Sequence, residues 1–187
     1  MRRRIPKWLV AGLALLVAVL AAGEDFGRQD DPPPVAAADI RVIDGDTIKI
    51  NSLNYRLYGI DAPEKAQACR RDGIDWLCGQ AAAAHLRQLV AGQAVACMEK
   101  DRDRYGRIVA VCRAGGQDLN RAMVAAGLAW AYTAYGRDYA AAEDDARRRK
   151  LGVWAAGTTA TAPWDWRRER RENPAGPQTG IRAGIRG

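Results

Sequence analysis

Cys97 and Cys112 stand at equal distances from the Arg104–Tyr105 pair, at the two ends of the segment CMEKDRDRYGRIVAVC. If Arg104-Tyr105-Gly106 turns the chain, the flanking runs pair as a hairpin and the two cysteines face each other across the ladder. That symmetry commits residues 93–113 to antiparallel strands and rules out an all-helical fold. Four cysteines allow three pairings, and spacing alone does not choose among them. The hairpin selects Cys97–Cys112 and leaves Cys69–Cys78 to close a short loop. A zinc site is the competing use of cysteine, but no CxxC pair occurs and His85 is the only histidine.

Disulfides suit an exported chain, and the N-terminus reads as an export signal. Basic MRRRIPK precedes the apolar run WLVAGLALLVAVLAAG, with small residues at Ala21, Ala22 and Gly23. Residues 1–23 are therefore expected to be a signal peptide, or an N-terminal membrane anchor through residues 8–23 if uncleaved. The location expected is periplasmic or secreted, with anchoring as the alternative. Residues 24–38, centred on DDPPP, read as a linker. Net charge is +7, and residues 1–23 contribute four positive charges and no acid. The remainder has 25 basic against 22 acidic side chains, a net +3. That excess is compatible with a polyanionic partner without establishing one.

From Asp39 the pattern is β-type. IRVIDGDTIKI breaks at Asp44-Gly45-Asp46, and Ser52-Leu53-Asn54 turns the chain again before YRLYGI, so three short strands follow as a meander. GQAAAAHLRQLVAG reads as a helix ending at a glycine, followed by the two strands of the hairpin. LNRAMVAAGLA and GRDYAAAEDDARRRKLGVW read as two further helices, the latter with acids early and bases late. The expectation is an α+β fold: a five-stranded OB-type β-barrel with three α-helices, spanning 39–155. Residues 156–187 form a basic, partly disordered tail in which PWDWRRERR can fold back through its tryptophans, its arginines meeting nucleic acid or anionic lipid.

Three carboxylates fall at strand ends or turns, where a small barrel can bring them to one rim: Asp46, Asp61 and Glu64. Asp46 and Asp61 offer hard oxygen ligands to Ca²⁺ or a similar cation, with the Ala62 carbonyl as a backbone donor. Glu64 is left to orient or deprotonate water. Arg56 and Arg107 complement them, because a guanidinium pairs with two phosphate oxygens and keeps its charge at any physiological pH. Metal, water-activating carboxylate and two arginines make a phosphodiester hydrolase site.

VIDGDTIKI, YRLYGIDAPE and DRYGR, in this order, resemble the staphylococcal nuclease (thermonuclease) family, and the trailing KLGVW matches its domain end. The resemblance covers roughly Ile40 to Trp154. It implies one Ca²⁺ held by Asp46, Asp61 and the Ala62 carbonyl, where many members have threonine. It further implies Glu64 as general base, and Arg56 and Arg107 on the scissile phosphate. Arg104 and Tyr105 match positions near the nucleotide's other phosphate, while Asp44 and Thr47 shape the metal turn. The implied activity is Ca²⁺-dependent hydrolysis of DNA and RNA with little sequence preference, leaving 3′-phosphate ends, by a monomer. For base stacking the family points just after the second helix, where Trp130, Tyr132 and Tyr135 stand and Tyr132 is taken as the substrate contact. Trp130 serves equally as packing, and His85 reads as structural. The alternative function is a catalytically inactive nucleic-acid or protein-binding module on the same fold; such copies lose site carboxylates or arginines, and all five are present here.

Overall fold

Ile40–Val42 (β1), Thr47–Ile50 (β2) and Leu53–Leu57 (β3) form the expected antiparallel meander. The computed structural model describes residues 40–134 and 136–173. The leader, the linker, Tyr135 and the residues after 173 lie outside the described residues, as do the expectations placed on them. Strand three ends earlier than the run YRLYGI implies. Tyr58 and Gly59 turn the chain, and Asp61 belongs to a separate two-residue strand, Ile60–Asp61 (β4). Cys69–Arg71 (β5) and Ile74–Trp76 (β6) pair as a small hairpin, and Cys78–Val90 (α1) is the Ala-rich helix.

Val95–Arg102 (β7) and Ile108–Ala114 (β8) form the long hairpin, with Cys97 opposite Cys112 and a register shift between Glu99 and Asp101. Gly106 supplies the left-handed turn residue (φ 78°) that an ordinary side chain resists. β8 then lies parallel to β3, so the main sheet runs β1-β2-β3-β8-β7, with the short strand Gln117–Asp118 (β9) on β8. Leu119–Ala125 (α2) and Ala140–Arg148 (α3) are the two further helices expected, and between them an unexpected short strand, Trp130–Ala131 (β10), pairs with β4. The curled mixed sheet with its helices is an OB-type α+β arrangement.

Apolar residues alternate inward along the strands and at helical spacing on α1 and α2, so Ile48, Leu57, Leu86, Val95, Leu119 and Met123 meet in one core. Truncating one of the larger of these, Leu86→Ala for example, removes about 2–5 kcal/mol. Asn120, fully buried, ties three backbone segments together. Its amide donates to the carbonyls of Tyr58 and Ala110 and accepts from the Cys112 N–H. This clip fixes the turn that leads into β4.

Ordered structure continues past the expected end at residue 155. After a 3₁₀ turn at Gly152–Trp154 come Thr158–Thr159 (β11) and a fourth helix, Pro163–Glu172 (α4). β11 pairs with β5, making a three-stranded sheet β11-β5-β6. Proline at the first helical position starts α4 without losing a backbone hydrogen bond. A second apolar cluster lies beneath this region: Cys69, Cys78, Trp130 and Val153, with Trp76, Trp154 and Trp164 packed against it. The segment PWDWRRERR therefore does fold back, and Trp164 anchors it. Among the described residues no helix is long and apolar enough to cross a membrane.

Candidate functional site

The DGD turn is built by its own side chains. The Asp44 carboxylate accepts the Asp46 N–H (3.1 Å), and the Thr47 carbonyl accepts from Ile43 (2.9 Å). Asp46 is thereby held at the start of β2, only 3% exposed. Its Oδ1 accepts from the Thr47 hydroxyl (3.1 Å) and from Arg56 (2.9 Å), its Oδ2 from the Ala62 N–H (2.9 Å). Burial pushes the Asp46 carboxyl up to about 6, against the pull of Arg56, and Asp44 adds to the rise.

Asp61, 1% exposed, is fixed by pairing of β4 with β10, where it stands opposite Trp130. Arg56, opposite Thr47 on β3, reaches both aspartates at once: Nη1 to Asp46 at 2.9 Å and Nη2 to Asp61 at 2.6 Å. Glu64 follows across Pro63. Its backbone N–H donates to the Gln67 side chain (3.1 Å), and Gln67, fully buried, donates onward to the Thr161 carbonyl (2.7 Å). The start of α1 presses so closely on Glu64 that a Cβ on Gly79 would fall 1.8 Å from the Glu64 carbonyl oxygen. Any larger residue at position 79 would displace the loop that carries Glu64.

The β7–β8 turn faces these carboxylates across a cleft of about 660 Å³. Arg107 is steered by Asp103, whose carboxylate accepts from Arg107 Nε (2.7 Å) and N–H (3.0 Å). Despite some burial, those bonds hold Asp103 below the usual carboxylate range. Arg104 lies over the Tyr105 ring, which is 69% exposed at the turn's tip. Asp44, Asp46, Arg56, Asp61, Ala62, Glu64, Arg104, Tyr105, Arg107 and Tyr132 all line this one cleft, and Thr47 supports it from below. Trp130 does not line it; it is buried edge-on against Trp154, with ring centroids 5.3 Å apart.

The sequence placed the arginines of PWDWRRERR against nucleic acid only as a group and did not single out the two that line this cleft. Arg167, on α4, donates to both oxygens of Asp61 (3.1 and 2.6 Å) and to Glu64 (2.7 Å). Burial works against its charge, but these partners outweigh that and raise its pKa. Arg171, one turn further along, also lines the cleft. The available signals were the proline that starts α4 and the Trp164–Arg167 spacing, which places both on one helix face.

The donors suit a hard cation. Two buried carboxylates, Asp46 and Asp61, line this cleft with Ala62 and without sulfur or imidazole. Among the described residues no three His, Cys, Asp or Glu side chains could hold an ion by themselves, so a carbonyl and waters would complete the shell. Both disulfides are formed as expected, Cys69–Cys78 and Cys97–Cys112. The first closes the hairpin that follows Glu64.

Residues 54–156 match the family model described as staphylococcal nuclease homologue. An uncharacterized endonuclease of Escherichia coli is 38% identical over 149 residues, covering 73% of this chain and 91% of the relative. A micrococcal nuclease of Shigella flexneri is 36% identical over 176 residues, covering 85% and 90%. A staphylococcal-like nuclease of Arabidopsis thaliana, CAN1, is 30% identical over 141 residues, 73% of this chain and 41% of the plant protein.

Proposed function

The chain belongs to the staphylococcal nuclease family and is a nuclease, and from that premise we propose that it is a Ca²⁺-dependent endonuclease hydrolysing DNA and RNA with little sequence preference. The observation that carries this reading is the pair of buried aspartates bridged by one arginine, with Glu64 and Arg107 lining the same cleft. Asp46, Asp61 and the Ala62 carbonyl would hold one Ca²⁺, which supplies positive charge to the phosphate and acidifies a water.

Glu64 orients that water and takes its proton as the oxygen attacks phosphorus. The bond from phosphorus to the 5′ oxygen breaks in line; the departing oxygen takes a proton from solvent, leaving a 3′-phosphate and a 5′-hydroxyl. Arg56 and Arg107 lower the energy of the extra charge on the five-coordinate phosphorus. Asp103 holds Arg107 for this, just as Asp46 and Asp61 hold Arg56, so little reorganisation is needed. Asp44 and Thr47 fix the Asp46 carboxylate. Arg104 and Tyr105 at the exposed tip, and Tyr132 deeper in, contact neighbouring nucleotides, since stacking on a ring does not depend on base identity.

The protein is proposed to act as an exported monomer, in the periplasm or outside the cell, or tethered through residues 8–23 if these are retained. The order of the N-terminal segments and the two disulfides support this. Digestion of plasmid DNA and of RNA by the full chain, in Ca²⁺ and in excess chelator, tests the reading. Cleavage of both in Ca²⁺, abolished by chelator, is expected. Undiminished cleavage in chelator would overturn the metal assignment, and no cleavage with any divalent cation would favour an inactive binding module.

A further inference from the structure

We propose that Arg167 of α4 is a third phosphate-binding arginine of this site, resting on Asp61 and Glu64 until a cation and a nucleic acid enter the cleft. Arg167 lies eleven residues beyond the family match, which ends at residue 156, so nothing in that likeness assigns it a role. The inference rests on the cation and phosphodiester reading given above.

The carboxylate contacts already have the geometry of phosphate recognition. Nη1 and Nη2 of Arg167 go to Oδ1 and Oδ2 of Asp61 as a parallel fork, and Nη1 also reaches Glu64. A guanidinium makes the same paired contact with two phosphate oxygens. Asp61 Oδ1 is shared further with Arg56. Asp61 Oδ1 is taken up by two guanidiniums and Oδ2 by one, so Arg167 competes with a cation for Asp61 through both the lone pairs it occupies and its charge.

Charge counting says where Arg167 goes next. Within the ion-paired network alone, three carboxylates, Asp46, Asp61 and Glu64, meet two guanidiniums, Arg56 and Arg167, leaving one negative charge in excess. A divalent cation turns that into one positive charge in excess, and a phosphodiester carries the single negative charge that restores balance. The released guanidinium thus finds its nearest compensating anion in the substrate.

The helix is anchored to keep it within side-chain reach. The Trp164 ring sits 5.8 Å from the Tyr132 ring, and Tyr132 itself lines the cleft. Gln67 clips the Thr161 carbonyl to the loop that carries Glu64. Arg171 follows Arg167 by one turn, so α4 adds two arginines to a cleft that the β7–β8 turn also lines with Arg104 and Arg107. A nucleic-acid backbone would then run between two basic walls over an acidic floor.

Calorimetry on the full chain tests this with two titrations: Ca²⁺ alone, then thymidine 3′,5′-bisphosphate in saturating Ca²⁺. The bisphosphate carries phosphate groups but no diester to cleave. Arg167→Ala should bind Ca²⁺ alone more tightly, since a competitor is gone, yet bind the bisphosphate about tenfold or more weakly. Opposite signs in the two titrations are the signature. Arg168→Ala, which removes the same charge from the same helix but an exposed partner of Asp165, should move both by less than about twofold. Arg167→Lys, which keeps charge and helix but loses the fork, should fall between wild type and Arg167→Ala for the bisphosphate.

Unchanged bisphosphate affinity in Arg167→Ala would overturn the proposal, reducing Arg167 to a counter-ion. Wild-type behaviour of Arg167→Lys in both titrations would overturn the paired contact. If wild type cleaves DNA yet Arg167→Ala binds the bisphosphate normally, this inference fails alone. If wild type binds neither Ca²⁺ nor bisphosphate, the nuclease-site reading fails with it.

Discussion

The floor and one wall of the cleft are built differently. Asp46, in the turn just ahead of β2, and Arg56, on β3, stand on the main sheet above a core of Ile48, Leu57, Leu86 and Leu119. Arg167 and Arg171 stand on α4, which rests on a small tryptophan-rich cluster, a short sheet and the Gln67 clip. The floor, resting on the larger buried cluster, is expected to share the global stability of the fold, and the wall, on the smaller one, to open locally. That division suits the chemistry. Metal and water need fixed carboxylates, while a long polyanion needs a wall that adjusts to it.

The sharpest way to break the comparison is to weaken each region in turn. Ile48→Ala, under the floor, should cost about 2–5 kcal/mol of global stability. Trp164→Ala should leave the denaturation midpoint nearly in place while amide exchange rises at 164–172. Equal shifts in midpoint would mean the wall is not a separate unit.

The two disulfides sharpen the point, because chain entropy assigns them nearly equal stabilities. Sequence separations of 15 and 9 residues correspond to about 3 kcal/mol and slightly less. Replacing Cys97 and Cys112 by alanine should therefore lower stability and spare substrate affinity. Replacing Cys69 and Cys78 should lower stability by a similar amount and also weaken substrate binding, since β5 pairs with β11 just ahead of α4. Identical effects on binding would erase the functional distinction between the two bonds.

A smaller effect follows from Asp46. Its carboxyl, pushed up to about 6 by burial, is ionised above that pH and protonated below it. Proton and cation compete for the same oxygens, so Ca²⁺ affinity should be flat above about pH 6 and fall by up to about tenfold per unit below it. Calorimetry between pH 5 and 8 checks this. A fall starting only near pH 4 would mean that Asp46 ionises as an ordinary carboxyl.

The same division governs what the sequence makes legible. The floor is written in local pattern: alternating apolar residues, the DGD and RYG turns, and cysteines placed symmetrically about a hairpin. Each of these signals spans fewer than about twenty residues. The split of Asp61 onto its own strand escaped notice because β4 exists only through pairing with β10, some seventy residues later. Arg167 escaped for the same reason on a larger scale. Its partners Asp61 and Glu64 are 106 and 103 residues away, so although PWDWRRERR was expected to fold back, nothing in its local pattern tells which of its arginines reaches those carboxylates. Gln67 was equally silent, since nothing in its neighbours marks a fully buried amide. Trp130 and Tyr132 were told apart only by the fold, which buries one and turns the other to the cleft.

The central claim is that the floor performs the chemistry, with Glu64 acting on water rather than on binding. Steady-state cleavage by Glu64→Gln in saturating Ca²⁺, alongside its affinity for thymidine 3′,5′-bisphosphate, tests it most directly. A fall in kcat of about a hundredfold or more, with bisphosphate affinity within about threefold of wild type, is predicted. An unchanged kcat would contradict it and remove Glu64 from the reaction.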